Sequence, residues 1–234
     1  VTKSIIKELT PLIGGKIDKI HEPDRNTIIL GIYSQGNNYA LNICIDARNC
    51  RINLTTHSKT NPLVAPNFCM LLRKHLIGGR ISNISMLGLD RIINIELETI
   101  NEFNEIEIKT LIVELMGKHS NIILINPQNI IIDSMRHITS TNSYREILPS
   151  RNYTFPNSDK FNFESTNFED FYLKNCNIKI EDLTKNITNT YTGFSTSFVK
   201  SVIGKCNIKN TSKNELEKIY NYIIKIIKNE VPLD

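Results

Sequence analysis

One nine-residue pattern occurs twice in this chain, as LIGGKIDKI from Leu12 to Ile20 and as LIGGRISNI from Leu76 to Ile84. Each copy reads as a helix end, a glycine pair, a basic residue, and a strand with isoleucine at a spacing of three. The glycine pair stops the helix because glycine enters the left-handed C-cap conformation without strain. The first copy leads through IHEPDRNTIILGIYS and NNYALNICID to RINLT. The second leads through LDRIINIELE and EIEIKTLIVELM to SNIILIN and NIIIDSM. Breaks at Gly36-Asn37-Asn38 and at Asn126-Pro127-Gln128-Asn129 predict hairpins between these runs. Each copy therefore predicts one helix followed by an antiparallel meander. Two such halves predict an α+β fold, a pseudo-symmetric β-sandwich or barrel-like domain with flanking helices. The alternative is coincidence, since glycine pairs after helices are common.

The texture changes after Arg151. NYTFPNSDKFNFESTN is polar and turn-rich, which predicts a boundary between a domain over 1–156 and a second over 157–234. The second reads as all-helical. Asn167 to Lys174 is helical, and ITNTYTGFSTSFVKSVIGKC is a helix, a tight turn at Gly193 and another helix capped by Ser195. SKNELEKIYNYIIKIIKNE is an amphipathic helix with Ser212 and Glu215 in capping-box spacing. A chain that starts at Val1 and stops just after a helix is expected to be a piece of something longer, its last helix the root of a longer arm.

The 234 residues are 40% hydrophobic, enough for a substantial core, and the net charge is +4. That balance permits a nucleic-acid partner without demanding one. It is uneven. Glu96, Glu98, Glu102, Glu105 and Glu107 form an acidic block, and the last quarter is lysine-rich. Five scattered cysteines without a CxxC pair fit reduced thiols in a cytoplasmic protein. No apolar run approaches a membrane span and no signal peptide opens the chain, so no membrane partner is expected. The five histidines lack metal-ligand spacing, and no GxGxxG or P-loop appears. The expectation is no catalytic residue, no metal, no cofactor and no enzyme activity.

The stretch PNFCMLLRKHLIGGRISNISMLGLDR, Pro66 to Arg91, joins a short basic helix to a strand that carries Asp90 and Arg91 between apolar neighbours. Arg73, Lys74 and Arg80 are candidate phosphate contacts, as is Arg145 in SYREILP. The bland alternative is a solvated helix face and a surface ion pair. In ELMGKHSN, from Glu114 to Asn121, Lys118, His119, Ser120 and Asn121 bunch around Gly117 at what reads as a helix-to-strand turn. Such a cluster suits RNA contacts, or else satisfies its own backbone.

FCMLLRKHLIGGRI, LDRIINIE and ELMGKHSNIILI, with NPLVAPNFCM, IIDSMRHI and SYREILPSRNY, together resemble the N-terminal domain of the RqcH/NEMF family. This is the NFACT group, once labelled fibronectin-binding protein A. The resemblance is dense from Val1 to about Pro156 and continues through TGFSTSFVKSVI, similar to the family's helix-hairpin-helix segment. That segment usually carries two glycines at its turn; Gly193-Phe194-Ser195 has one. The resemblance implies a quality-control factor that binds obstructed large ribosomal subunits with their stalled peptidyl-tRNA. It implies recruitment of alanine tRNA for C-terminal alanine tailing, with the peptide bond made by the ribosome. It also implies that Asp90 and Arg91 are a tRNA-recognition pair, with Glu114, Lys118, His119, Ser120 and Asn121 beside them. The rival reading is an adhesin for fibronectin or fibrinogen. A weaker one, from the shared plan of a two-fold β-sandwich and a helical module, is a DNA-glycosylase-like protein. The Pro-Glu nucleophile and zinc finger of those enzymes are not in this sequence.

Overall fold

The computed structural model describes residues 2–57, 59–86, 91–139, 145–156 and 159–228. These divide into two compact units, residues 2–156 and residues 159–228.

The first unit is the expected pair of halves. The first half runs α1 (Thr2–Leu9), a 3-10 turn (Thr10–Leu12), β1 (Lys16–Asp24), β2 (Thr27–Ser34), β3 (Asn37–Cys44) and β4 (Arg51–Leu54). The second runs α2 (Asn67–Leu76), β5 (Arg80–Met86), β6 (Ile92–Ile100), β7 (Ile106–Glu114), β8 (Asn121–Ile125) and β9 (Ile131–Ser134). Each half is an antiparallel meander, and the two join between β1 and β5 in the order β4-β3-β2-β1-β5-β6-β7-β8-β9.

The glycine pairs make that joint. The Gly14 N–H donates to the Ile81 carbonyl at 2.7 Å, and the Gly78 N–H donates to Ile17 at 2.9 Å. Ile17 donates to Gly79, and Ile81 to Gly15, both at 2.9 Å. Every bond has its mate 64 residues away, as a local two-fold axis requires, and Lys16 faces Arg80 across it. The equivalence extends to a register break between Ile17 and Lys19 and its match between Ile81 and Asn83. Gly14 and Gly78 have φ of +82° and +87°, which disfavours any side chain. Gly15 and Gly79 are needed for space instead. A Cβ on Gly15 would lie 2.8 Å from side-chain atoms of Ile32 and Ser34.

The helices exchange across the joint. α1 packs on β4 and β5, and α2 packs on β1, β6 and β9. One core therefore draws Leu9, Leu30 and Leu41 from the first half and Leu72, Ile95 and Leu111 from the second. A smaller core of Ile92, Ile112, Ile123, Ile131, Ile147 and Tyr153 covers the other face of β6–β9. This explains why NIILI of β8 does not alternate: Ile122 and Leu124 enter one core, Ile123 and Ile125 the other.

α2 begins without a side-chain cap of its own, at Pro66. The Glu22 carboxylate on β1 replaces it, accepting from the Cys69 N–H at 3.1 Å. Burial raises the Glu22 pKa, and the Cys69 amide opposes that rise.

The second unit is α3 (Phe168–Asn175), α4 (Ile180–Thr190), α5 (Thr196–Cys206) and α6 (Lys213–Ile227). They close on Phe163, Phe171, Tyr191, Val199, Leu216 and Ile219. Ser195 caps α5, accepting from the Phe198 N–H at 3.2 Å. Ser212 stands at the N-cap of α6, but its hydroxyl makes no cap bond. Glu215 instead pairs with Lys218 at 2.6 Å.

Candidate nucleic-acid interface

The residues singled out in the sequence fall into three places. The first is the two-fold joint. Lys74 and Arg80 are exposed and Arg73 is half-buried. The Arg73 Nε donates to the Ile20 carbonyl at 2.8 Å, and the Arg80 Nη1 donates to Gly14 at 3.1 Å. Both cations thus help to dock α2 and the joint.

The second place is the far end of the second half. The Leu115 N–H donates to the Arg91 carbonyl at 2.8 Å, which sets Arg91 beside the link between β7 and β8. That link carries Lys118 and His119 on a 3-10 turn, and all three side chains are exposed. It joins two strands, not the helix and strand read from the sequence. Arg80 pairs with Glu98 and Ile92 with Glu114, so Arg80 and Arg91 are separated by roughly 20 Å of strand. The fold does not unite the joint cations with Arg91. Asp90 lies outside the described residues.

The third place is interior. Glu114 is fully buried. Its carboxylate accepts from the Arg145 Nη2, and from the Tyr153 hydroxyl at 2.8 Å. The Arg145 Nη1 donates to the Thr154 carbonyl at 2.7 Å. Burial lowers the Arg145 pKa, but the bond and charge of Glu114 more than offset this, so the net direction is upward. Burial and the Glu114 charge both raise Tyr153. Ser120 and Asn121 are buried too. Ser120 accepts from the Met116 N–H at 2.8 Å, and the Asn121 amide donates to the Arg136 carbonyl at 2.8 Å. Glu114, Ser120, Asn121 and Arg145 therefore build the platform that holds Lys118, His119 and Arg91 outward. The sequence reading grouped Glu114, Ser120 and Asn121 with Arg91, Lys118 and His119 as tRNA contacts, and Arg145 with the phosphate contacts.

Arg136 was missed by that reading. Its Nη1 donates to the Ser120 carbonyl at 3.2 Å, and its Nη2 donates to the Asn26 side chain at 2.7 Å and the Ile45 carbonyl at 3.1 Å. One guanidinium so ties the Lys118 turn to the first half. Arg25, next in sequence to Asn26, and Arg48, three residues after Ile45, are exposed. Three acids lie on the same segments: Asp24 pairs with Lys59 at 2.9 Å, Asp133 contacts His137 at 2.6 Å, and Asp46 accepts from the Arg48 N–H at 3.0 Å. Arg91, Lys118 and His119 face solvent here, and the two cations are of the type that contacts phosphate. Replacing Arg136 by methionine should cost about 1.5–3 kcal/mol in urea unfolding, because several acceptors lose a charged donor. Arg136→Lys should recover little of it, since an ammonium cannot fork to both halves. A neutral Arg136→Lys would show that the fork is dispensable.

A family model described as NFACT N-terminal and middle domains matches residues 1–231. The chain belongs to this NFACT family. Its relatives include the Rqc2 homolog RqcH of Bacillus subtilis, 37% identical over 203 residues, covering 85% of this chain and 35% of that protein. The Rqc2 homolog RqcH of Streptococcus suis is 41% identical over 147 residues, covering 62% of this chain and 27% of that protein. This NFACT chain thus spans about a third of the length of those relatives. Among solved structures, the fibrinogen binding protein from Staphylococcus aureus superposes with a TM-score of 0.85 at 27% identity, covering 99% of this chain and 81% of that one. The N-terminal part of the fibronectin/fibrinogen-binding protein from Streptococcus suis gives 0.79 at 31% identity, covering 93% and 81%. Among the described residues, no NFACT helix is long and apolar enough to cross a membrane.

Proposed function

We propose that this NFACT chain is the RNA-gripping part of a ribosome-associated quality-control factor in the cytoplasm. In this reading it binds obstructed large ribosomal subunits, and Arg91, Lys118 and His119 meet tRNA there while Asp90 completes the recognition pair. The role is to select and position tRNA, alanine tRNA by family resemblance, so that the stalled chain acquires an alanine tail. The α4–α5 turn serves as a helix-hairpin-helix element. The chain has no catalytic residue of its own in this scheme. The observation that carries it is the outward display of Arg91 and Lys118 on a buried polar platform, in a chain whose relatives are named as Rqc2 homologs. Its test is sedimentation of the full-length protein with isolated large subunits bearing peptidyl-tRNA, followed by sequencing of bound tRNA. Stable binding with one tRNA species enriched is expected. Failure to sediment with those subunits would overturn it.

A second reading, fibronectin or fibrinogen binding, draws on the names of the two solved structures above. Surface labelling of intact cells separates the two: a labelled, fibronectin-retained population is expected only for the adhesin.

A further inference from the structure

The two-fold repeat supplies an internal control for what each half adds. In the first half, the β2–β3 hairpin is closed by Gln35 and Gly36 alone, between the paired Ser34 and Asn37. In the second, Thr99 pairs with Glu107 and Ile100 with Ile106, and the turn runs on through residues 101–105. The extra residues are not a loose loop. The Asn101 Oδ1 accepts from the N–H groups of Phe103 and Glu105, both at 2.9 Å, and the Asn101 N–H donates to the Glu105 carbonyl at 2.9 Å.

This braced tip holds apolar side chains in water. Ile100 is 70% exposed, Phe103 82%, Ile106 75% and Ile108 45%. Ile100 and Ile106 are direct cross-strand partners, and Ile108 faces Glu98. Ile100, Ile106 and Ile108 therefore share the solvent face of the hairpin, with Phe103 exposed in its turn, where the equivalent hairpin of the first half ends in glutamine, glycine and asparagine. Folding requires no such patch, and contiguous exposed apolar surface marks an interaction site. Glu98, Glu102 and Glu105 rim it and are exposed. Arg80 is opposite Glu98, and its Nη1 donates to the Gly14 carbonyl. Glu107 pairs with the buried Lys109 at 2.6 Å. A phosphate backbone or an anionic lipid surface would meet like charge here, and so would a second copy of the same tip.

We propose that the β6–β7 hairpin tip is a docking site for a cationic protein segment that presents large apolar side chains between lysines or arginines. The isoleucines and Phe103 take the apolar side chains, and the glutamate rim selects the charge. The site is distinct from the Arg91 surface and independent of the tRNA assignment.

The test uses the 234-residue chain and a fluorescent lysine–leucine peptide of about four helical turns with its leucines on one face. A scrambled peptide of the same composition and a labelled RNA hairpin serve as comparisons. Binding of the amphipathic peptide is expected to weaken roughly tenfold or more in Phe103→Ser/Ile106→Ser, as for the loss of interface anchors. Glu98→Gln/Glu102→Gln/Glu105→Gln should weaken it and flatten its salt dependence, without changing the shape of the tip. Gln35→Ser on the first-half hairpin should change nothing. Equal binding by the scrambled peptide, or undiminished binding by either tip variant, would overturn the proposal. So would RNA binding that the tip variants reduce, or self-association of the parent that they abolish.

Discussion

Arg145→Met is expected to destabilise the first unit by about 3–5 kcal/mol, the cost of leaving a buried charge without its partner. Glu114 is fully enclosed, and Arg145 and Tyr153 supply its donors. Methionine fills much the same volume but gives the carboxylate nothing, and the Tyr153 hydroxyl alone does not neutralise it. Against a total stability of about 5–15 kcal/mol for a domain, this loss is a large fraction. The matched variant Glu114→Gln/Arg145→Met removes both charges, so it should lose less than Arg145→Met alone. That non-additivity is the signature of a coupled pair. Urea unfolding of Arg145→Met, Glu114→Gln and the double variant beside the parent measures it. A loss under about 1 kcal/mol in Arg145→Met would place the pair with weak surface bridges. The consequence for function is indirect: Glu114 and Ile92 are cross-strand partners, so a collapsed network would release Arg91 as well.

The fold was legible because its decisive feature is local. A glycine pair after a helix has a short-range signature, and its duplication at one spacing announced two halves. The hydrogen bonds that join them, Gly14 to Ile81 and Gly78 to Ile17, span more than sixty residues, and no pattern within either copy specifies them. The hairpins at Gly36 and Asn126 were legible for the same reason, as turn chemistry between apolar runs. The link after Glu114 was misread as helix-to-strand although β7 precedes it, because ELMGKH carries no alternation.

The site was half legible. Lys118, His119 and Arg91 face solvent, and residue type suggested as much. Glu114 and Arg145 differ from them in nothing that composition or spacing can register. Their partnership crosses 31 residues, and only the fold makes one the counter-ion of the other. Arg136 was hidden likewise, since its acceptors Asn26 and Ile45 belong to the opposite half. A cation flanked by Met135 and His137 gives no sign that it bridges two halves.

In the proposed role the Arg91–Lys118 surface grips RNA while the residues beneath it only hold it in place. Arg91→Ala/Lys118→Ala in the full-length protein tests this most directly. Both side chains are exposed, so the pair should change unfolding free energy by roughly 0.5 kcal/mol or less each. Each lost phosphate contact should lower the magnitude of the log K against log salt slope by about 0.7–0.9. The measurement is tRNA retention on large ribosomal subunits across a salt series, with a thermal melt of each protein alongside. An unchanged melt, a flattened slope and loss of the retained tRNA are expected. Parent-like retention with a parent-like slope, in a variant that melts normally, would contradict it.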